Sequence, residues 1–223
     1  MDKILKAEQK ILRHSKTVRW VHWLVALSTF ALIFSGFGQM PMYARYGITS
    51  LPGLGWSSDY HLTLSIHYLA GLVLTFTLVY HLVYHGLRRD KGILPRKGDV
   101  RESVQIIKAM FGFGQEPAND KFLAEQRLAY VFIGLNLVLI TVTGIIKALK
   151  NYIDYPFSQS SMVLNTNLHN LAAMLILLGI VAHLGAFVFG ENRKLLMSIF
   201  HGKVDLHYAK ERHSIWYQRL LGK

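Results

Sequence analysis

The residues with the strongest claim to chemistry are histidines. Of the 11 in this 223-residue chain, His22, His67, His169 and His183 sit inside long apolar stretches without Asp, Glu, Lys or Arg. Ionisable side chains in such surroundings are costly and are functional candidates by default. His183 follows His169 by 14 residues. In an α-helix that is a rise of about 21 Å and a rotation about 40° short of four turns, so the two share one face at two depths. A single buried histidine is more often a satisfied polar contact than a ligand. Four at matching depths reverse that expectation, because imidazole is the commonest protein ligand for transition metals and also binds haem iron.

The elements that must position them are four apolar stretches, about residues 20–38, 64–84, 128–146 and 168–189. Each is close to the ~20 residues that carry a helix across a hydrocarbon core. Hydrophobic residues make up 52% of the chain and charged ones 17%, against about 25% charged in an ordinary soluble domain. The basic residues sort by connection. The segment ending at Arg19 holds six Lys/Arg, the 86–127 loop nine and the 190–223 tail seven; the other two connections hold only Arg45, Lys147 and Lys150. Twenty-two against three places both termini and the 86–127 loop in the cytoplasm by the positive-inside rule. The net charge of +12 is then an orientation signal rather than a nucleic-acid footprint. The first stretch is long for a signal-peptide core, and Ser35-Gly36-Phe37 is a poor cleavage site, so it is retained as a span.

With this orientation, His67 and His169 fall near the outer ends of spans two and four, and His22 and His183 near the inner ends of spans one and four. Facing histidines in a helical bundle close both axial positions of a haem, and two such pairs form a two-haem wire across the bilayer. Gly71, Ala173 and Gly179, each one turn from one of these histidines, would admit a macrocycle, although small residues are also common where membrane helices touch. His81 is 14 residues after His67 and rivals His22 for the position opposite His183; spacing leaves both open. The chain has no cysteine. Disulfides, thiolate metal sites and covalent haem attachment are excluded, and the chain cannot hold a Cys-ligated iron–sulfur cluster.

The connections carry weaker signals. Val104, Ile107 and Phe111 share a face of a short interfacial helix between Val100 and Phe113. Tyr43, Tyr46, Trp56 and Tyr60 suit an interfacial aromatic belt. The tail from Val204 to Leu220 mixes basic and aromatic residues and is expected to lie along the inner surface. His14, His201, His207 and His213 are expected to be solvated. No internal repeat is evident. Arg19, one turn before His22, suits either a haem propionate or a plain positive-inside anchor.

Several of these motifs resemble the cytochrome b (gamma) subunit of membrane-bound formate dehydrogenase, within the wider group of di-haem cytochromes b serving hydrogenases and thiosulfate reductases. They are Arg19-Trp20-Val21-His22-Trp23 with Ser35-Gly36, Ile66-His67-Tyr68-Leu69-Ala70-Gly71, and Leu168-His169 with Ala182-His183. The tail residues Gly202-Lys203-Val204, Ala209-Lys210, His213 and Trp216-Tyr217 resemble the formate dehydrogenase type in particular. The resemblance implies His22 rather than His81 as the inner ligand and places His183 beside a quinone pocket. The family completes that pocket with a Lys-Tyr-Asn-x-x-Gln-Lys-like motif before span three. Here the segment is Lys121-Phe122-Leu123-Ala124-Glu125-Gln126-Arg127, so the family asparagine is Leu123, and Glu125 and Gln126 are the available polar groups. As a helix-start acid, Glu125 also suits the positive end of the dipole.

The expectation is an all-α integral membrane four-helix bundle of the inner membrane, a single domain over 1–223 with both termini cytoplasmic. It holds two haem b groups, on His22/His183 inside and His67/His169 outside. Electrons come from an extracytoplasmic iron–sulfur subunit, with its formate-oxidising catalytic subunit, and leave to quinone. The alternative within this class is the cytochrome b of a nickel–iron hydrogenase or thiosulfate reductase. A different-class alternative is a histidine-based metal transporter, for which His81 and His85 at i, i+4 offer two ligands, although no carboxylate lies in the spans.

Overall fold

Apolar stretches of this length can satisfy their backbone only within themselves, and helices do so. In a computed structural model, described over residues 3–5, 8–153 and 157–222, the four stretches are helices: α1 (Lys16–Gly38), α3 (Tyr60–Arg88), α5 (Ala124–Leu149) and α6 (Gln159–Gly185). Lys6, counted above among the amino-terminal basic residues, lies outside the described residues. All four helices are long and apolar enough to cross a membrane. Helices α3 and α5 overrun their expected spans at both ends and α1 starts early, whereas α6 starts at Gln159 and ends at Gly185, short of the expected 189. Shorter helices are α2 (Pro41–Arg45), α4 (Asp99–Met110), α7 (Gly190–Leu196), α8 (Ser198–His201), α9 (Leu206–Arg212) and α10 (Ser214–Leu220).

The side chains are distributed as lipid requires. Leu72 and Phe76 are 69% and 71% exposed, whereas Ser35 and Thr63 are fully buried. Buried hydroxyls recur along the spans and donate to carbonyls one turn back: Ser28 to Leu24 at 2.6 Å, Ser35 to Ala31 at 2.6 Å, Thr77 to Val73 at 2.7 Å and Thr143 to Leu139 at 2.8 Å. Polar groups turned inward and apolar groups turned outward invert the arrangement of a water-soluble domain.

The chain divides into two compact units. Unit 2, residues 21–87 and 138–173, contains the histidine-bearing parts of α1 and α3 with the adjoining parts of α5 and α6. Of the expected aromatic belt in its 41–60 connection, Tyr46, Trp56 and Tyr60 are exposed. Tyr43 instead is buried, with its hydroxyl 3.0 Å from Ser57 Oγ.

Unit 1, residues 1–20, 88–137 and 174–223, departs from the all-helical expectation. It contains an antiparallel sheet of β1 (Lys3–Leu5), β2 (Lys10–Leu12) and β3 (Lys203–Asp205), with Ile11 opposite Ile4 and Val204. Gly202 makes the turn into β3 at φ 84°, and its carbonyl accepts from Arg13 and His14 N–H at 2.8 and 3.1 Å. A Cβ there would lie 2.6 Å from the His14 carbonyl oxygen, so both the dihedral and the space demand glycine.

The tail contributes to a packed core of unit 1. Ile11, Val204, Ala209 and Trp216 form one buried cluster. His213, expected to be solvated, is fully buried. The tail's apolar residues recur three to four apart on α9 and α10 and pack on the sheet; its polar composition hid this. Val104 and Ile107 on α4, with Phe111 just past its end, are exposed together, as an interfacial helix requires, while Ile106 faces inward.

Candidate functional site

In unit 2 the rings of His67 on α3 and His169 on α6 lie with centroids 6.4 Å apart and planes at 56°. The spacing has a chemical meaning. Two imidazoles binding one metal ion, each through about 2 Å and each with its nitrogen about 1 Å from the ring centre, have centroids about 6 Å apart.

The protein also selects the nitrogen. Ser35 on α1 places its hydroxyl 3.0 Å from Nδ1 of His67, and Thr143 on α5 places its own 3.0 Å from Nδ1 of His169. Each hydroxyl already gives its one proton to a carbonyl a turn back. Each must therefore accept from the imidazole, which fixes the proton on Nδ1 and leaves Nε2 as a free donor atom. The carbonyls of these two residues are tied down as well: Gln39 Nε2 donates to Ser35 O at 3.1 Å and Asn165 Nδ2 to Thr143 O at 3.0 Å.

The residue after each hydroxyl is glycine. A Cβ on Gly36 would stand 3.4 Å from His67 Cε1, and one on Gly144 3.3 Å from His169 Cε1. The same device, hydroxyl then glycine against a histidine, thus appears in spans one and three. Sequence reasoning singled out Ser35-Gly36 but missed Thr143-Gly144; the repeated hydroxyl–Gly dipeptide was the available signal. Gly71 and Gly179 have different surroundings. A Cβ on Gly71 would meet only Leu32, at 3.9 Å, and one on Gly179 would collide with Ile133 at 2.2 Å. Gly179 is thus a helix-contact glycine.

The other candidates are placed as follows. His22, half-buried on α1, sets its ring edge-on to Trp23 at 5.4 Å. The His81 and His85 rings on α3 lie with centroids 4.4 Å apart and planes tilted at 49°. His183, exposed near the end of α6, lies edge-on to Phe187 at 5.7 Å. His22 and His81 belong to unit 2 and His183 to unit 1.

The segment before α5 is held by charge. Arg127 grips Asp99 with two bonds of 2.6 and 2.8 Å, both side chains 3% exposed. The Arg127 guanidinium holds the Asp99 carboxyl below its ordinary value. Asp120 is pulled two ways: burial raises its pKa, but Arg219 and Arg96, each 3.0 Å away, and the Lys121 N–H bring it below the ordinary value. His213 Nδ1 donates to the Asp120 carbonyl at 2.7 Å. Burial, then the Arg13 guanidinium, push the His213 pKa down to about 3, so the ring is neutral.

Leu123 is fully buried, and its N–H donates to Gln126 Oε1 at 3.3 Å, so Gln126 caps the start of α5. Glu125 is half-buried, and its Oε2 has no hydrogen-bond partner among the described residues. Arg19 donates to the Phe200 carbonyl, which gives it a structural place in unit 1.

Two neutral imidazoles offering Nε2 at this spacing fit the axial ligand set of one haem iron. The comparisons with known proteins agree with that chemistry. The chain is 26% identical over 226 aligned residues to the formate dehydrogenase cytochrome b556 subunit of Haemophilus influenzae, covering 98% of this chain and 87% of that one. The family model for prokaryotic cytochrome b561 matches residues 13–202, which include all four spans and every candidate histidine ligand, and the chain belongs to that family.

Proposed function

We propose that the chain is the membrane cytochrome b subunit of a formate dehydrogenase and carries electrons from an extracytoplasmic iron–sulfur subunit to quinone. Family membership implies haem b. Two haem groups are proposed, on His67/His169 at the outer side and His22/His183 at the inner side. His81 is the rival of His22. Haem b with both axial positions closed supplies reversible one-electron transfer without oxygen binding.

The observation that carries this reading is the His67/His169 pair, 6.4 Å apart, with each Nδ1 held by a hydroxyl. Formate as donor rests on the similarity to the Haemophilus influenzae subunit along nearly the whole chain. The orientation, with both termini in the cytoplasm of the inner membrane, rests on the 22-to-3 division of basic residues.

The inner end handles quinone through His183, Glu125 and Gln126. Gln126 caps α5, so its part is to fix the backbone of the 121–127 segment. Glu125 offers an unpaired carboxylate oxygen at the helix start, suited to hold the proton that quinone takes up. Formate oxidation releases two electrons and a proton on the outer side as carbon dioxide forms. Quinone takes two electrons, with two protons drawn from the cytoplasm, and becomes quinol.

The test is to purify the native complex, count b-type haems by their reduced α-band, and assay quinone reduction with formate, hydrogen and thiosulfate in turn. Two haems per chain and activity with formate alone are expected. Absence of a b-type band overturns the haem assignment, and activity with hydrogen or thiosulfate instead reassigns the partner enzyme.

A further inference from the structure

A cation of unit 2 lies close to the histidine pair in the fold. Lys147 lies on α5 one turn beyond Thr143 and Gly144, the residues that meet His169. Its ammonium is within electrostatic reach of both His67 and His169. The side chain is half-buried. Its charged neighbour is Lys150, of like sign.

No carboxylate pairs with Lys147 among the described residues. Asp59 is the single carboxylate of unit 2 within them, and its Oδ1 accepts from the Leu62 N–H at the start of α3. Asp154 lies outside the described residues. A half-buried ammonium next to another is unfavourable without a counter-charge. At the same end of the unit Asn151 Nδ2 donates to the Tyr68 hydroxyl at 2.6 Å, one residue from His67.

We infer that Lys147 binds a carboxylate of the macrocycle held by His67 and His169, a haem propionate. The inference rests on that pair being haem ligands. Haem b carries two carboxylates on its rim, and an ammonium, a compact point charge on a flexible stem, suits an acceptor whose position is set by the ring. Lys147 is thereby a positioning residue that fixes the rotation of the macrocycle about the axis joining the two imidazoles. Its positive charge also favours the reduced, less positive state of that haem over the oxidised one.

The experiment is a redox titration of both haems in the purified complex in neutral detergent, with Lys147→Gln, Lys147→Arg, Asp154→Asn and His169→Ala. Loss of one α-band in His169→Ala identifies the haem of this pair; if neither band is lost, the ligand assignment itself fails. Lys147→Gln is expected to lower the midpoint of that haem alone. The ratio of oxidised to reduced haem at fixed potential should rise about tenfold, equal to about 59 mV for a one-electron couple. Lys147→Arg restores the wild-type value, and Asp154→Asn leaves it unchanged.

Loss of that haem in Lys147→Gln but not in Lys147→Arg carries the same meaning, with the second haem as the control for folding. An unchanged midpoint, an equal shift of both haems, haem loss in both lysine variants, or a matching shift in Asp154→Asn overturns the inference.

Discussion

The hydroxyl of Thr143 lies 3.0 Å from Nδ1 of His169 and decides which nitrogen of that ring is left to bind. Ser35 does the same for His67. Partners of this kind typically contribute 10–100-fold to ligand affinity. Thr143→Ala and Ser35→Ala are each expected to weaken retention of one haem by about that factor. Thr143→Ser should keep it. Haem content per protein after extended detergent washing measures the effect. Gly144→Ala, whose Cβ would press on His169 Cε1 at 3.3 Å, should displace the same α-band.

The identity of the inner ligand separates His22 from His81. Replacing His22 with alanine is expected to leave one haem per chain, and replacing His81 to leave two. Pyridine haemochrome quantification reads this directly. Loss of a haem in His81→Ala alone would transfer the role to His81.

Asp99→Asn tests the charge pair before α5. Removing the charge of Asp99, its nearest partner, leaves the buried Arg127 guanidinium only the longer 3.6 Å ion pair to Glu102, at a cost of up to about 3–5 kcal/mol. Thermal unfolding of the solubilised protein should show the loss. The sign of the pH effect follows from the lowered Asp99 pKa. The contribution is complete above the unfolded carboxylate value near pH 4 and fades as pH falls toward the folded one.

His213 gives the opposite end of the acid range a signature. Its folded pKa of about 3 lies below the ordinary histidine value of 6.5. The unfolded chain therefore binds the extra proton first, and stability falls as pH drops from about 6.5 toward 3. His213→Asn keeps a donor for the Asp120 carbonyl but cannot ionise. Its unfolding midpoint should vary less with pH in that window than the wild type's, and an identical slope would refute the role given to His213.

How much of this was legible in the sequence depended on the range of the interaction. The four spans, the 14-residue step from His169 to His183 and the convergence of His67 with His169 follow from helix periodicity and depth alone. What failed was what depends on distant partners. Thr143 reads as an ordinary span residue until α6 brings His169 against it. His213 reads as solvated because its neighbours are Arg212 and Ser214; Trp216 and Tyr208 enclose it only after the tail folds back. The sheet escaped notice because three-residue strands carry no period, and β2 and β3 are almost the whole chain apart.

That separation governs the order of assembly. The partners of Lys10, Ile11 and Leu12 are Asp205, Val204 and Lys203. At about 5–20 residues per second of synthesis, the first strands wait about 10–40 s for the last one. Unit 2, complete by residue 173, can take up a cofactor in the last ~2–6 s of that interval. Closure of the terminal sheet then acts as a late latch: a chain cut short before residue 203 contains both His67 and His169, yet leaves its own beginning unfastened.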